Sequence, residues 1–459
     1  MPNPVSRGVF NLMFGSRRKA LGTTLRGPEP GLLGTAGDFM SGQPWDVCAR
    51  YGREYGGVTL VWLVGTPGLV LNDPDLIEQV LVSRWTEFEK GSLVEALKPI
   101  VTTSIFITRR ADGWAEKRRA DPFDQPWTED WLAAQAAPMQ AAVAAVITPL
   151  IGGPSVDLVP VLRRLTFDAF SVVMVGETLP QQVFDDFILL ATAADARVKA
   201  VRPLSLVSKP RGFAAARDRF YGHFVERVGA ARKAPNPAAV DLMTRTLREV
   251  PSIGDRELAD VLALSFYGGL FSSSTTLAGA LHQLHRHPNA EERFGAEAAA
   301  LAPGGGKLTL ERVRGARWIE AVTYEALRIL PAVRVFTRTT LAETQLAGIT
   351  LPAGATILIS NQHLHRDPAH WTNPEIFDPT RWQGGGIERD PLGSGHFFPF
   401  GRGPRACVAA TFAMAFMQTA LATIGARAKV VLDSADPFGE GLYFGVVLPE
   451  GLTGRFIAR

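Results

Sequence analysis

The sequence predicts a mainly α-helical protein with minor β-structure, arranged as one large domain. Residues 129–250 are rich in Ala and Leu at helical spacing, and residues 257–287 continue that period in one long apolar run. Short runs of β-forming residues occur near residue 60 and near residue 350, where Gly and Pro turns bound them. The sequence has no regular alternation of strands and helices, so a parallel α/β architecture is not expected.

The minor β-structure and the later helices can be placed in order. Val58–Val64 and Gly68–Asn72 predict two strands in a hairpin. A helical pattern follows over Leu76–Val82. After the long helices, Leu310–Leu330 predicts one further helix that ends before a proline. Ala342–Ser360 alternates with turns and predicts a small sheet.

The segment Glu257–His287 predicts one helix of roughly 45 Å at about 1.5 Å per residue. Within it, Val261–Leu281 carries no charge, which also fits a membrane-spanning helix. Gly268-Gly269 and the hydroxyl run Ser272–Thr276 occupy its middle, where hydrocarbon tolerates polar groups poorly. A buried core helix is therefore expected.

Composition narrows the class of protein. With 46% hydrophobic and 20% charged residues, the chain of 459 residues is typical of a globular protein. Its formal net charge of +3 gives no general reason to expect a nucleic acid partner. The two cysteines, Cys48 and Cys407, indicate a reducing compartment. The apolar patch Val9–Phe14 is too short for a membrane span. We therefore expect a cytoplasmic protein without a membrane span.

The segment Phe397–Cys407 reads FFPFGRGPRAC, and an Ala-rich helical run begins at Val408. It predicts a turn, restrained by Gly and Pro, that brings a single cysteine to the start of a helix. Free N–H groups at a helix start favour the thiolate form. Gly403 permits close approach of backbone to a flat ligand. A buried structural cysteine is the alternative that the surrounding pattern makes less attractive.

This segment resembles the haem-binding loop of the cytochrome P450 family, Phe-x-x-Gly-x-Arg-x-Cys-x-Gly. The matching positions are Phe400, Gly403, Arg405 and Cys407, and Ala409 stands in place of the last Gly. The resemblance implies haem b (iron protoporphyrin IX), with Cys407 as the thiolate ligand of the metal. Phe400, Gly401 and Arg405 would then contact the cofactor. It also implies the single-domain fold of that family over residues 26–459, with the long helix over the haem, after an N-terminal extension of residues 1–25.

Further segments agree with the resemblance in order. Glu325 and Arg328 match the family's Glu-x-x-Arg, and Arg381 matches the arginine that joins that pair in a buried network. The resemblance implies a structural role for all three residues. At a spacing of three residues, Glu325 and Arg328 share one helical face and can pair.

The resemblance also implies donors for the two haem propionates. Trp114 and Arg118 match the family's Trp-x-x-x-Arg, and an indole N–H and a guanidinium suit a carboxylate. A further arginine is expected about ten residues after Arg328. Arg338 fits that place best and Arg334 less well. With Arg118 and Arg405, this gives three arginines for the two propionates.

The long helix departs from the family pattern, an acid–alcohol pair through which protons are delivered to dioxygen. Counting back from Pro288 places Gly269 at the glycine, Phe271 at the acid and Ser272 at the alcohol. Phe271 cannot carry a proton, whereas Ser272 offers a hydroxyl. Protons can travel through Ser272 and water. Alternatively, the enzyme uses peroxide or catalyses a rearrangement, or Thr275 or Thr276 takes the alcohol's place after a slip of one turn.

By this resemblance, the chain is expected to insert one oxygen atom of dioxygen into a lipophilic small molecule. An Arg-Pro pair, expected of a peroxide-using fatty-acid enzyme, is not present in this part of the sequence. The pocket is expected to have apolar walls that include Phe106, Phe271 and Phe336. A ferredoxin and its reductase are expected to supply electrons to a monomeric chain. A haem protein that senses without catalysis is the competing function.

Overall fold

The computed structural model describes residues 4–21, 25–91, 108–120, 128–199, 210–303, 306–383, 395–436, 438–443 and 446–459. Helices predominate over strands in these residues, which confirms the mainly α-helical fold with minor β-structure. The described residues fall into two compact units, each assembled from separate stretches of chain. The first unit lies within residues 1–92, 333–376 and 386–407, and the second within residues 93–332, 377–385 and 408–459.

The elements are as follows. The helices are α1 (Pro4–Leu21), α2 (Ala36–Ser41), α3 (Pro44–Tyr55), α4 (Pro74–Glu78), α5 (Trp114–Ala120), α6 (Glu129–Ile147), α7 (Leu158–Val175), α8 (Gln181–Lys199), α9 (Phe213–Lys233), α10 (Leu242–Glu249), α11 (Asp255–Arg286), α12 (Pro288–Leu301), α13 (Leu310–Gly315), α14 (Arg317–Ile329), α15 (Asn361–Leu364) and α16 (Ala410–Arg427). The strands are β1 (Val58–Leu63), β2 (Thr66–Leu71), β3 (Phe88–Lys90), β4 (Val156–Asp157), β5 (Val335–Thr340), β6 (Thr344–Leu346), β7 (Ile349–Leu351), β8 (Thr356–Ser360), β9 (Ala428–Leu432), β10 (Gly439–Tyr443), β11 (Val446–Glu450) and β12 (Thr453–Ala458).

The first unit contains a five-stranded sheet in the order β1-β2-β8-β5-β3. Strands β1 and β2 form the predicted hairpin, with Val58 opposite Leu71. Strand β8 runs parallel to β2 and antiparallel to β5, so the strands near residue 350 complete the sheet begun near residue 60. Leu69, Leu81 and Ile357 lie in its buried core. The helix predicted after β2 is α4, followed by a π-helical turn, Gln79–Ser83.

Helices make up most of the second unit, and α11 is its longest. This helix has 32 residues and spans about 48 Å. Asp255 and Glu257 lie in its first turn, where a negative charge interacts favourably with the positive end of the helix dipole. Side chains between Leu258 and Leu284 are mostly buried. The prediction of a long core helix is confirmed.

Two helical segments, Glu129–Leu150 and Asp255–Arg286, are long and apolar enough to cross a bilayer. In their most apolar stretches, 50% and 67% of the residues are buried inside the protein. Burial of this kind is what the core helices of a globular protein require, because their apolar surface is already covered by other helices.

The prediction of one helix over residues 310–330 was wrong. The chain forms α13 and α14 with a break at Ala316, whose ψ of 78° is not helical. Across this break, the carboxylate of Glu297 on α12 accepts hydrogen bonds from the backbone N–H groups of Trp318 (3.1 Å) and Ile319 (2.7 Å). A side chain distant in sequence thus accepts hydrogen bonds from two backbone N–H groups that have no partner within the first turn of α14. Periodicity alone does not reveal such a partner.

Candidate active site

The cysteine loop belongs to the first unit and is held by its own backbone. The N–H of Cys407 donates to the carbonyl of Phe400 (2.8 Å). Gly401 and Gly403 have φ values of +73° and +70°, a conformation that favours glycine. A Cβ on Gly403 would lie 2.0 Å from the carbonyl oxygen of Leu81. The loop therefore requires glycine at position 403 to approach the π-helical turn.

The two cysteines differ in exposure. Cys48 is fully buried, and burial raises the pKa of its thiol to about 12. Cys407 is exposed at the end of the glycine-containing loop. Because the thiolate is the form that binds metals, Cys48 suits a structural position and Cys407 suits ligation.

Two arginines lie close to the cysteine loop within the first unit. Arg405 forms an ion pair with Glu89 (2.7 Å), and both side chains are at least nine-tenths buried. Arg338 is also buried and donates to the carbonyl of Thr337 (2.9 Å). Its pKa is lowered to about 10, first by burial and then by the charge of Arg405, while Glu89 acts in the opposite direction. The guanidinium of Arg338 is therefore a buried cation whose charge an anion would stabilise.

This electrostatic arrangement fits a haem, whose propionates are anions. Arg405 and Arg338 were both expected to bind them, and the structure brings the two together. Arg334, the weaker candidate, instead lies over the ring of Trp45, with its Cζ 4.8 Å from the ring centre. Phe336 packs against the loop, because its ring lies 6.2 Å from that of Phe398.

Trp114 and Arg118 belong to the second unit and lie one turn apart on α5. The Cζ of Arg118 is 6.0 Å from the centre of the Trp114 ring. The two groups therefore share one face of the helix, as the expected propionate donors must. Their role toward haem stays a prediction.

Glu325 is the centre of a buried network in the second unit. Its carboxylate accepts hydrogen bonds from Arg328 (2.7 and 2.8 Å), Arg381 (3.0 Å) and the indole of Trp382 (2.9 Å). The backbone N–H of Asp378 donates to it as well (2.8 Å). Glu325 and Arg328 are completely buried. The expected pairing of Glu325, Arg328 and Arg381 is thus present, and it ties α14 to the turn Pro379–Trp382.

One face of α11, at Gly268 and Ser272, is not covered by the described residues, whereas most of the neighbouring side chains on this helix are buried. Gly268 is exposed, and a Cβ placed on it would meet no atom of the described residues within 4 Å. Ser272 lies one turn further along, is partly exposed, and donates to the carbonyls of Gly268 (3.1 Å) and Gly269 (3.4 Å). The hydroxyl of Ser272 therefore adjoins space that a ligand can occupy.

Gly269 and Phe271, both expected at the reacting centre, lie in packed surroundings instead. A Cβ on Gly269 would lie 2.2 Å from the ring of Phe170, so this glycine lets α7 approach α11. The Phe271 ring is buried, stacks on Phe187 at 5.6 Å, and has the Cζ of Arg163 5.6 Å from its centre. Phe187 and Arg163 therefore contact this ring, and its expected place in the wall of the substrate pocket stays a prediction.

Three further hydroxyl groups of α11 donate to backbone carbonyls. Ser274 and Thr276 donate to helix carbonyls at Phe271 (3.1 Å) and Ser272 (3.0 Å). Thr275 donates to the carbonyl of Val447 on β11 (2.7 Å). None of these three hydroxyls takes the place of Ser272 on the open face.

The sequence did not single out Glu89 or Gly268. Glu89 lies on β3, a strand of three residues that is too short for its pattern to stand out. Gly268 was passed over because the count back from Pro288 placed Gly269 at the glycine of the family pattern. Phe106 and much of the expected pocket lie outside the described residues.

Comparison with known proteins agrees with this geometry. The family model described as cytochrome P450 matches residues 26–437. Two Streptomyces melanosporofaciens proteins are similar: cyclooctat-9-en-7-ol 5-monooxygenase is 27% identical and cyclooctatin synthase 28%, each over 77% of this chain and 78% of the relative. A probable cytochrome P450 28c1 from Drosophila melanogaster is 25% identical over 87% of this chain and 84% of its own.

A protein with this fold and relatives of this kind is a haem-thiolate oxidoreductase. The chain belongs to the cytochrome P450 family. It binds haem b through a cysteine thiolate and acts as a monooxygenase.

Glu325→Ala is expected to destabilise the fold by about 3–5 kcal/mol, because it leaves Arg328 as a buried charge without its carboxylate. Urea unfolding and the haem content of the purified protein measure the effect. Glu320→Ala is the matched control. Glu320 lies on the same helix and pairs with Arg317 at the same spacing, but the pair is exposed. Its loss should cost no more than about 1 kcal/mol. Normal haem content in Glu325→Ala would contradict a supporting role for the network.

Arg338→Met is expected to affect the haem-free and haem-bound proteins in opposite directions. Removing a buried cation should stabilise the haem-free fold by on the order of 1–3 kcal/mol. Haem should be lost faster, because an anion of the cofactor loses its partner. Unfolding of the haem-free protein and transfer of haem to an acceptor protein measure the two effects. Arg338→Lys retains the charge and should retain haem better. Equal haem loss from wild type and Arg338→Met would exclude a role in binding the propionates.

Proposed function

We propose that this chain holds haem b through Cys407 and inserts one atom of dioxygen into a lipophilic small molecule. Residues 26–459 form the proposed catalytic domain. When bound, the haem supplies the chemistry that activates dioxygen. Arg405, Arg338, Trp114 and Arg118 are the proposed donors to its propionate groups. The exposed thiol of Cys407, at the end of a loop that also carries the buried Arg405, carries this proposal.

The proposed role of Ser272 is to relay protons from water. It is the hydroxyl on the open face of α11, next to the space beside Gly268. Phe271 occupies the position at which the family pattern has an acid, and its buried ring stacks on Phe187 and carries no proton. Water ordered by Ser272 and the carbonyl of Gly268 is therefore the proposed route.

Monooxygenation is preferred over use of peroxide, rearrangement or sensing. The similar Streptomyces protein is named a 5-monooxygenase of cyclooctat-9-en-7-ol. A lipophilic cyclic alcohol of this type is therefore the first substrate to test.

Electrons are proposed to come from a ferredoxin and its reductase. Lys117 and Arg119 are exposed on α5, and they complement an acidic partner. We propose a cytoplasmic monomer without a membrane span. The two cysteines form no disulfide framework, and at least half of the residues in the most apolar stretches of the two candidate helices are buried inside the protein.

Cys407→Ser is expected to abolish the absorption band that marks a thiolate–haem complex with carbon monoxide. A serine oxygen does not supply the same electron density to the metal. Reduced difference spectra of wild type and variant measure this band. Cys48→Ser is the control and should keep it, because Cys48 is buried in a packed cluster. A band that persists in Cys407→Ser would overturn the assignment.

Ser272→Ala is expected to divert reducing equivalents from product to hydrogen peroxide. Loss of a group that positions transferring protons typically slows such a step by about 10²–10⁴-fold. Product and peroxide formed per NADH, with cyclooctat-9-en-7-ol and a ferredoxin system, are the quantities to measure. Ser274→Ala removes a buried hydroxyl two residues away and should leave coupling unchanged. If Ser272→Ala couples as well as wild type, protons reach dioxygen by another path. Turnover with peroxide alone would favour the competing oxidant.

A further inference from the structure

The carboxylate of Glu89 lies beside one of the arginines proposed to bind haem propionates. Its Oε1 accepts hydrogen bonds from the guanidinium of Arg405 (2.7 Å) and from the backbone N–H of Lys90 (2.9 Å). The side chains of Arg405 and Glu89 are only 6% and 9% exposed. Two donors therefore hold this carboxylate in place where water reaches it poorly.

The strand that carries Glu89 is attached to the strand that carries the second arginine. Strand β3 lies at the edge of the five-stranded sheet and pairs antiparallel with β5, where Lys90 is opposite Arg338. Just before β3, the carbonyl of Glu87 accepts a hydrogen bond from the N–H of Leu341 (2.9 Å). Backbone pairing therefore keeps Glu89 and Arg338 at fixed places in one sheet.

The segment that leads into β3 contacts the cysteine loop at a second point. Its π-helical turn, Gln79–Ser83, closes with a hydrogen bond from the N–H of Arg84 to the carbonyl of Gln79 (2.8 Å). The carbonyl of Leu81 in this turn faces Gly403, two residues before Arg405. One stretch of chain thus meets the loop through a carbonyl and through a carboxylate. The position of Glu89 is therefore coupled to that of the loop.

Glu89, Arg338 and Arg405 form a buried set of two cations and one anion. The pKa of Arg338 is lowered first by burial and then by the charge of Arg405, whereas Glu89 raises it. The two guanidinium groups therefore disfavour each other, and the carboxylate compensates. Without Glu89, the haem-free chain would bury two like charges, which is unfavourable.

We propose that Glu89 is an internal counter-ion that competes with haem propionates for Arg405 and Arg338. It stabilises the arginines in the haem-free chain, and its negative charge repels the propionates and weakens the retention of haem. The same charge favours oxidised iron, which carries one more positive charge than reduced iron. This inference rests on the proposed function, in which Cys407 holds haem and both arginines bind its propionates.

The test is Glu89→Gln, which removes the charge but keeps an oxygen that can accept a hydrogen bond from Arg405. Haem should pass from the variant to an acceptor protein at least about threefold more slowly than from wild type, because the competing charge is gone. Redox titration of the haem-loaded variant should give a higher reduction potential. The haem-free variant should unfold at a lower urea concentration. A merely structural ion pair would change only this last quantity.

Two single variants are the controls. Glu89→Asp keeps the charge, so its haem transfer and reduction potential should lie closer to wild type than those of Glu89→Gln. Glu87→Gln neutralises a carboxylate two residues away, whose partner is the partly exposed Arg84 (2.6 Å). It should leave both quantities unchanged, because water screens that pair.

The double variant Glu89→Gln/Arg338→Met covers the case in which haem-free Glu89→Gln does not fold. It removes one anion and one cation, so the charge balance of the buried set is that of wild type. It should lose haem more slowly than Arg338→Met does.

Equal or faster haem transfer in Glu89→Gln, with an unchanged reduction potential, would overturn the proposal. If Arg338→Met loses haem faster than wild type while Glu89→Gln has no effect, the counter-ion is excluded and the propionate role of Arg338 stands. If neither variant changes haem transfer, the propionate role fails as well.

Discussion

The burial of one carboxylate determines much of how the second unit is built. Glu325 is removed from water completely, and isolated charge in such a place is very unfavourable. Two guanidinium groups, an indole N–H and a backbone N–H compensate for the lost hydration. These donors come from α14 and from the turn that contains Arg381. Their positions are therefore coupled, since displacing one leaves the others with an unsatisfied charge.

Two glycines are required for close contacts between elements, because a Cβ at either position would overlap a neighbouring atom. In the first unit, Gly403 allows the cysteine loop to reach the carbonyl of Leu81. In the second, Gly269 allows the ring of Phe170 to contact α11, whereas a Cβ on the adjacent Gly268 would meet no atom of the described residues within 4 Å. Adjacent glycines thus serve opposite purposes. One closes the contact between two helices, and the other leaves room beside the Ser272 hydroxyl.

The sequence predicted the fold class, the β1–β2 hairpin and the long core helix, because all three rest on local periodicity and turn residues. It also predicted the pairing of Glu325 with Arg328, which a spacing of three residues makes possible. The break at Ala316 and the placement of Phe271 depend on partners far away in sequence, Glu297 and Phe187. Propensity carries no information about such partners. The Arg405–Glu89 pair was missed for the same reason, since 316 positions separate the two residues.

The contrast between the two cysteines has a consequence for how the protein ages and how it can be labelled. The thiol of Cys48 stays protonated at physiological pH and is shielded from reagents, so electrophiles and oxidants meet Cys407 first. With a metal on its sulfur, Cys407 would be protected as well. Alkylation of this chain would then count the molecules that have lost their cofactor. Oxidation of the same sulfur would convert a temporary loss of haem into a permanent one.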